Sequence, residues 1–324
     1  MKRNHLAPVL AVLAAVFAFT SAASAADELK KLRIGHQKSS TLVAVLKANG
    51  ELEKGLNQLG YTVAWSEFPS GLPLLEALNV GAVDLSGDVA DTVPVFAQAA
   101  GAKLTYVATE APSPAAQALL VKADSPIKTI ADLKGKKVAV TKAAGVHYLL
   151  IKQLNSVGLK LSDIEPAFLT PADGRAAFEK GAVDAWIVWD PFVSAAQKQS
   201  SVRIVADSKG FADYARFYLA SSAFAAEHPD VLRFVFGKLQ ETGKWVKAHP
   251  DEAAKILAPV WGLTPEIVTL ANSHRSYDVR AVQPDNLVEV QKIADAFFAE
   301  GALPKNIKAS EAQIWSPDKQ ASAK

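Results

Sequence analysis

The sequence contains no cysteine in 324 residues and only one methionine. Without cysteine there is no disulfide scaffold, thiolate-held zinc, iron–sulfur cluster or cysteine nucleophile. The lipid-attachment cysteine of a tethered exported protein is missing as well. An excess of charge is also lacking: 35 Lys+Arg stand against 33 Asp+Glu. That balance, with no basic run, excludes a general nucleic-acid binder. No G-x-S-x-G elbow, P-loop, G-x-G-x-x-G or H-E-x-x-H occurs. Nowhere do histidines and carboxylates fall at metal-ligand spacing. The expectation is a protein that is not an enzyme and uses no cofactor and no metal. What remains is 50% hydrophobic and 21% charged, ordinary for a globular chain and long enough for two lobes with separate cores.

Long apolar runs are scarce too. Leu6 to Phe19 follows the positive pair Lys2 and Arg3 and precedes the small-residue site Ala23-Ser24-Ala25. That pattern predicts a signal peptide over residues 1–25. A membrane anchor is the alternative, but the run is shorter than the ~20 residues a span requires. Removal of Lys2 and Arg3 from the 35 positive residues leaves 33 against 33 negative, a net charge of zero. The mature chain is expected free in the periplasm, as a monomer.

The chain repeats itself about a hundred residues apart. Gly81-Ala82-Val83-Asp84 returns as Gly181-Ala182-Val183-Asp184. Each copy ends a helix with a glycine suited to the left-handed C′ position. One helix carries Leu72, Leu75 and Leu78, the other Phe178. Upstream, Lys31–Gly35 and Lys136–Val140 read as short strands, each running into a polar loop and then a helix. In the second helix Val146, Leu149, Leu150 and Leu154 form one apolar stripe. Strand–helix alternation of this kind predicts an α/β fold, each lobe a parallel-rich sheet flanked by helices. The boundaries read as lobe I over 26–115 and 218–324, and lobe II over 116–217. The chain returns through Phe217-Tyr218-Leu219, and the C-terminal helices are expected to cover lobe I. Two crossings make a hinge, with the cleft at the strand C-terminal ends.

Candidate ligand groups gather around that cleft. Helix N-termini offer unpaired N–H groups and a positive dipole end, which suits an anion. The loop His36–Thr41 contributes the hydroxyls of Ser39, Ser40 and Thr41. The loop Thr141–Gly145 contributes Thr141, Lys142 and the small Gly145. Plain N-capping by Ser and Thr is the alternative. Ser86 and Asp88 lie in the matching first-lobe stretch, where Asp91 or Thr92 reads as an N-cap. Trp186 and Trp189 fall on opposite faces of one strand, so one is core and one faces the cleft, or both are core; Trp189, nearer the strand's C-terminal end, is the candidate cleft wall. Asp190 before Pro191 reads as a cap. His147 either contacts the anion or packs. His228 and His249, each beside a proline, read as helix-entry residues. At the return crossing stand Tyr214 and Arg216; the arginine faces the ligand, or else points to solvent or pairs with Asp213.

The sequence resembles the aliphatic sulfonate-binding family of ABC importers, the branch that includes taurine and nitrate binders. The resemblance covers nearly the whole mature chain. It is carried by Trp65–Gly71, Asp132–Val138, Pro171–Phe178, Val188–Pro191 and Phe217–Ser221. It implies a two-lobed type II periplasmic binding protein that closes on an alkanesulfonate and delivers it to an ABC permease. It also implies that Gln37, Thr141, His147 and Trp189 fall at ligand positions. Two departures are visible. The second anion loop is Ala143-Ala144-Gly145-Val146 where relatives are richer in serine, and Leu85–Asp91 is one residue longer. Receptors for nitrate, taurine or a heterocycle, and an enzyme of pyrimidine-precursor synthesis on the same fold, are the alternatives; a sensor presenting its closed lobes to a receptor protein is another.

Overall fold

A computed structural model describes residues 29–318, so the expected signal peptide lies outside the described residues. The first stretch runs β1 (Lys30–Gln37), α1 (Thr41–Asn49), α2 (Glu51–Gln58), β2 (Tyr61–Phe68), α3 (Gly71–Asn79), β3 (Leu85–Ala90), α4 (Val93–Ala99) and β4 (Leu104–Glu110). The second runs β5 (Gln117–Lys122), β6 (Lys137–Val140), α5 (Gly145–Ser156), β7 (Glu165–Phe168), α6 (Pro171–Glu179), β8 (Ala185–Trp189), α7 (Phe192–Gln199) and β9 (Val202–Asp207). The chain then continues through β10 (Arg216–Ser221), α8 (Ser222–Glu227), α9 (Pro229–Ala248), α10 (Pro250–Trp261), α11 (Pro265–Ser273), β11 (Val279–Arg280), α12 (Asn286–Ala299) and β12 (Gln313–Ile314).

These strands form two sheets built on one plan. In one, the order is β11-β4-β10-β3-β1-β2, with β12 also on β4; in the other it is β7-β6-β8-β5-β9. Each has three parallel strands, β2-β1-β3 or β7-β6-β8, followed by one antiparallel strand. That antiparallel strand is the first one made after a crossing: β5 after β4, and β10 after β9. The segment Phe217-Tyr218-Leu219 therefore does return to the first sheet, between β3 and β4.

The internal repeat has a shared physical cause. Gly81 and Gly181 both take positive φ, 73° and 72°, one residue past the C-caps of α3 and α6. Side chains avoid that region, and glycine does not. The aspartate that follows each turn then reaches the neighbouring strand. Asp84 Oδ2 accepts from the Arg33 amide at 2.8 Å, and Asp184 Oδ2 accepts from the Lys137 amide at 2.8 Å. Each carboxylate satisfies a strand-entry N–H and fixes where the parallel ladder begins.

Burial follows the strand and helix periods. β4 is buried along its whole length, as is β8, because helices cover both faces. Of the C-terminal helices, α9 packs on α1, α2 and β4, and α10 packs on α1, as expected for a lobe I cover. The others depart from that expectation. α11 packs on α7, and α12 packs on both α4 and α5, so these two helices bridge the lobes. The N-caps of α9 and α10 are His228 and His249, in keeping with their reading as helix-entry residues. Among the described residues no helix is long and apolar enough to cross a membrane.

Candidate functional site

The cleft between the lobes is lined by strand ends and helix starts. β1 ends at Gln37 and α1 begins at Thr41; β6 ends at Val140 and α5 begins at Gly145. Neither α1 nor α5 has a side-chain N-cap hydrogen bond. By contrast Thr170 caps α6 and Ser221 caps α8. The serines and threonines of the two cleft loops are thus not spent on capping, and the helix-start amides face the cleft region with their dipoles.

Several polar contacts cross from lobe to lobe. Trp189 Nε1 donates to Ser39 Oγ at 3.3 Å. Thr92 Oγ1 donates to the Ala143 carbonyl at 2.8 Å. His274 Nδ1 lies 2.6 Å from Asp190 Oδ2, and Lys198 Nζ lies 2.6 Å from Glu266 Oε1. Beside the first of these is a cavity of 180 Å³ whose lining includes Gln37, Ser39, Phe68, Pro171, Trp189 and Phe192, with Lys38 and Glu67 also on its wall. Aromatic and proline walls with a few polar groups suit a small ligand having one polar head and one apolar tail.

Behind the cleft lies a buried ionic network. Arg216 Nε donates to Asp88 Oδ2 at 2.5 Å, and Arg216 Nη1 donates to the Tyr214 hydroxyl at 2.8 Å. Arg275 donates to Asp88 Oδ2 at 3.2 Å, to Glu110 Oε2 at 2.5 Å and to the Ser39 carbonyl at 3.1 Å. Tyr218 donates its hydroxyl to Glu110 Oε1 at 2.7 Å. Asp88 and Glu110 have fully buried side chains, and the two arginines are 2% exposed. Burial pushes the Asp88 carboxyl up, but Arg216 and Arg275 outweigh it and hold the group below the usual carboxylate range. Two cations and two anions balance, so the network presents no net charge to the cleft.

This arrangement corrects the reading of Arg216. The arginine neither points to solvent nor pairs with Asp213; its partner is Asp88, from β3 beside it in the sheet. Sequence distance hid that pair, because β10 reaches β3 only by crossing back from the other lobe. Asp88 and Tyr214 belong to the same cluster. Ser86 does not join it: its hydroxyl donates to the Gly87 carbonyl within β3. Of the alternative N-caps Asp91 and Thr92, Thr92 holds that position before α4. Thr92 precedes α4 without a cap bond and spans the cleft, while Asp91 Oδ2 accepts from the Ala215 amide at 2.9 Å. Burial, with a smaller push from Glu289 and Asp213, raises Asp91 to about 7. Asp190 does cap, accepting from the Ser194 amide at 2.9 Å.

In the second loop, Thr141 Oγ1 donates to the Leu169 carbonyl at 2.9 Å. Lys142 is exposed. Gly145 touches the hinge: a Cβ there would lie 2.7 Å from the Tyr214 ring. His147 is buried, and its Nδ1 accepts from the Ala143 amide at 3.3 Å. Its ring sits between Phe168 and Phe297 of α12. Burial first, and Lys142 second, lower its pKa to about 4, so it is neutral near pH 7. In this geometry the imidazole holds the Thr141–Gly145 loop, with Ala143 at φ 62°. Tyr214 and Tyr277 share that unusual backbone region at 55° and 51°. Strained non-glycine residues of this kind cluster at functional sites.

Residue reasoning from the sequence missed Arg275, Glu110, Thr92 as a lobe-crossing group, and His274. The polar run His274-Arg275-Ser276, directly after α11, hinted at two of them.

Two similar α/β sheets, crossed twice by the chain and clamped over helix-start loops, define a solute-binding protein of the periplasmic binding type. The chain belongs to the NMT1/THI5-like family, whose pattern matches residues 63–253. It is 40% identical over 316 residues to an aliphatic sulfonates-binding protein of Escherichia coli strain K12, covering 97% of each chain. The crystal structure of the periplasmic aliphatic sulphonate binding protein SsuA from Escherichia coli is 39% identical, with a TM-score of 0.80 over 88% of this chain and 97% of that one. The alkanesulfonate-binding protein SsuA from Xanthomonas axonopodis pv. citri, bound to MOPS, is 38% identical, with a TM-score of 0.83 over 87% and 97%.

Proposed function

We propose that this protein is the periplasmic receptor of an ABC importer, capturing aliphatic sulfonates and handing them to the permease for sulfur acquisition. It works as a monomer, exported by a signal peptide over residues 1–25 and without a role in nucleic-acid binding. Within the described residues the two lobes comprise 29–115 with 216–318, and 116–215; the expected boundary at 217 moves back two residues because all of β10 pairs in the first sheet. The observation that carries this reading is the meeting of Trp189 with Ser39 at the start of α1, from opposite lobes. A sulfonate in the cavity beside this contact gains amide donors from the uncapped starts of α1 and α5 and an indole wall for its carbon chain.

Gln37, Ser39, Gly145 and Trp189 are the direct contacts in this reading. Thr141 and His147 shape the second loop, Lys142 attracts the anion from the rim, and Asp88, Tyr214 and Arg216 fix the cleft floor. Ser86 contributes only through the strand beneath. A ligand touching both lobes favours closure by its differential contacts. Titration calorimetry with ethanesulfonate tests the reading, alongside nitrate and taurine. Saturable binding of ethanesulfonate, with compaction seen by small-angle scattering, is the expected result. Heat from nitrate alone, or identical scattering profiles with and without saturating sulfonate, refutes it.

A further inference from the structure

Closure is fastened at a point beside the cavity. β8 ends at Trp189, and the next residue, Asp190, turns its carboxylate two ways. Its Oδ1 accepts from the Ser194 amide and hydroxyl at 2.9 and 2.6 Å, which anchors the start of α7. Its Oδ2 lies 2.6 Å from Nδ1 of His274, in the opposite lobe just past the end of α11. The Asp190 side chain is buried, whereas His274 retains 23% exposure and so exchanges protons with solvent.

We infer that His274 is a positioning residue for ligand capture: its protonated ring, paired with Asp190, holds Trp189 against Ser39 and makes capture tighter in acid than in alkali. The inference rests on the cleft being the ligand site. The chain of contacts is short. Asp190 adjoins Trp189, whose indole N–H reaches Ser39, and Arg275, next to His274, holds the Ser39 carbonyl from behind at 3.1 Å. The pair thus ties together the two walls that a ligand must touch.

Asp190 is the dominant partner and raises the affinity of His274 for its proton above the ordinary value; partial burial opposes this. Lys209 and Asp207, at the end of β9, act on the ring with opposite signs. On the packed faces of α7, α10 and α11, Lys198 is paired to Glu266, and Asp251 and Lys255 line the adjoining groove. The Arg275 guanidinium is engaged by Glu110 and Asp88. Among the described residues no second cation is bonded to Asp190.

Opening of the lobes parts His274 from Asp190 and returns the ring to the ordinary histidine range near 6.5. The closed form therefore holds the proton more tightly than the open form. Its advantage is complete below that range and is lost as pH rises through the raised value. Neutral His274 can still donate its Nδ1–H, so the contact weakens with alkali and does not vanish.

The test is the affinity for ethanesulfonate, which stays anionic throughout, at about pH 5.5 and about pH 8.5. The wild type is expected to bind several-fold tighter at the acid end. His274→Asn should flatten that slope, and His274→Lys, cationic at both values, should keep the acid-pH affinity at both. An unchanged slope in both variants overturns the inference. A ligand-free measurement separates this from the sulfonate reading. Scattering by the free wild type should show compaction on acidification, and the His274→Asn protein should not. If ethanesulfonate fails to bind, the proposed function fails and the scattering comparison decides on His274; equal profiles in the two proteins overturn it.

Discussion

Arg216→Met is the sharpest test of the buried network. Methionine keeps most of the side-chain length and removes the charge. Asp88, fully buried, then depends on Arg275 at 3.2 Å, which is already bonded to Glu110 at 2.5 Å. Two carboxylates would share one guanidinium, and the Tyr214 hydroxyl would lose the donor now at 2.8 Å. Breaking a buried pair by removal of one partner costs about 3–5 kcal/mol. The remaining contact to Arg275 places the expectation near the lower end, about 3 kcal/mol. With ~2–4 °C per kcal/mol for chains of a few hundred residues, the melting temperature should fall by roughly 6–12 °C. Urea unfolding gives the free energy directly, and the Asp88→Asn/Arg216→Met double variant gives the coupling. Because Asp88 is charged in the wild type through its arginines, the deficit of the single variant should narrow on acidification, as Asp88 takes up a proton. A loss under about 1 kcal/mol, or a double variant no more stable than the single, would refute the reasoning.

Three further outcomes are expected. Trp189→Ala should weaken binding of long-chain sulfonates more than of methanesulfonate, since the indole lines the tail cavity; equal losses in calorimetry across chain length would assign the ring to core packing. Gly145→Ala should reduce affinity at least tenfold with the chain still folded, because the added methyl meets the Tyr214 ring at 2.7 Å; full affinity would show that the hinge tyrosine moves freely. Asp91→Asn should stabilise the protein at pH 8 by about 2–4 kcal/mol, at 1.4 kcal/mol per unit of pKa shift. Burial raises this carboxyl to about 7 in the fold. The charged form therefore costs stability as pH rises from about 4 to about 7, and the advantage of the variant should disappear below about pH 4 in urea titrations.

Much of the fold was written in local sequence. The Gly-Ala-Val-Asp repeat announced two copies of one unit, because a left-handed C′ position needs glycine and the strand-entry amide needs the aspartate. Apolar periodicity gave the strands and helices of both lobes, and the return through Phe217 followed from the pattern of a strand after a polar loop. Those signals are local: they depend on neighbours within a turn or a strand. The resemblance to sulfonate binders rested on such segments as well, and the family membership agrees with it.

The site was legible only in part. Trp189 was placed at the cleft by its nearness to the C-terminal end of its strand, Ser39 by its place in the loop between a strand and a helix, and Gln37 by the family resemblance. The partners of Arg216, Asp190 and Thr92 were not, since each sits in a different element from its partner. Asp88 and Arg216 are 128 residues apart and meet because β10 inserts antiparallel beside β3. His274 and Asp190 are 84 residues apart and meet because α11 bridges the lobes. A sequence specifies which groups want a partner, through their charge and their hydrogen-bonding capacity. Which partner they find is decided by strand order and lobe closure, and these belong to the folded chain as a whole.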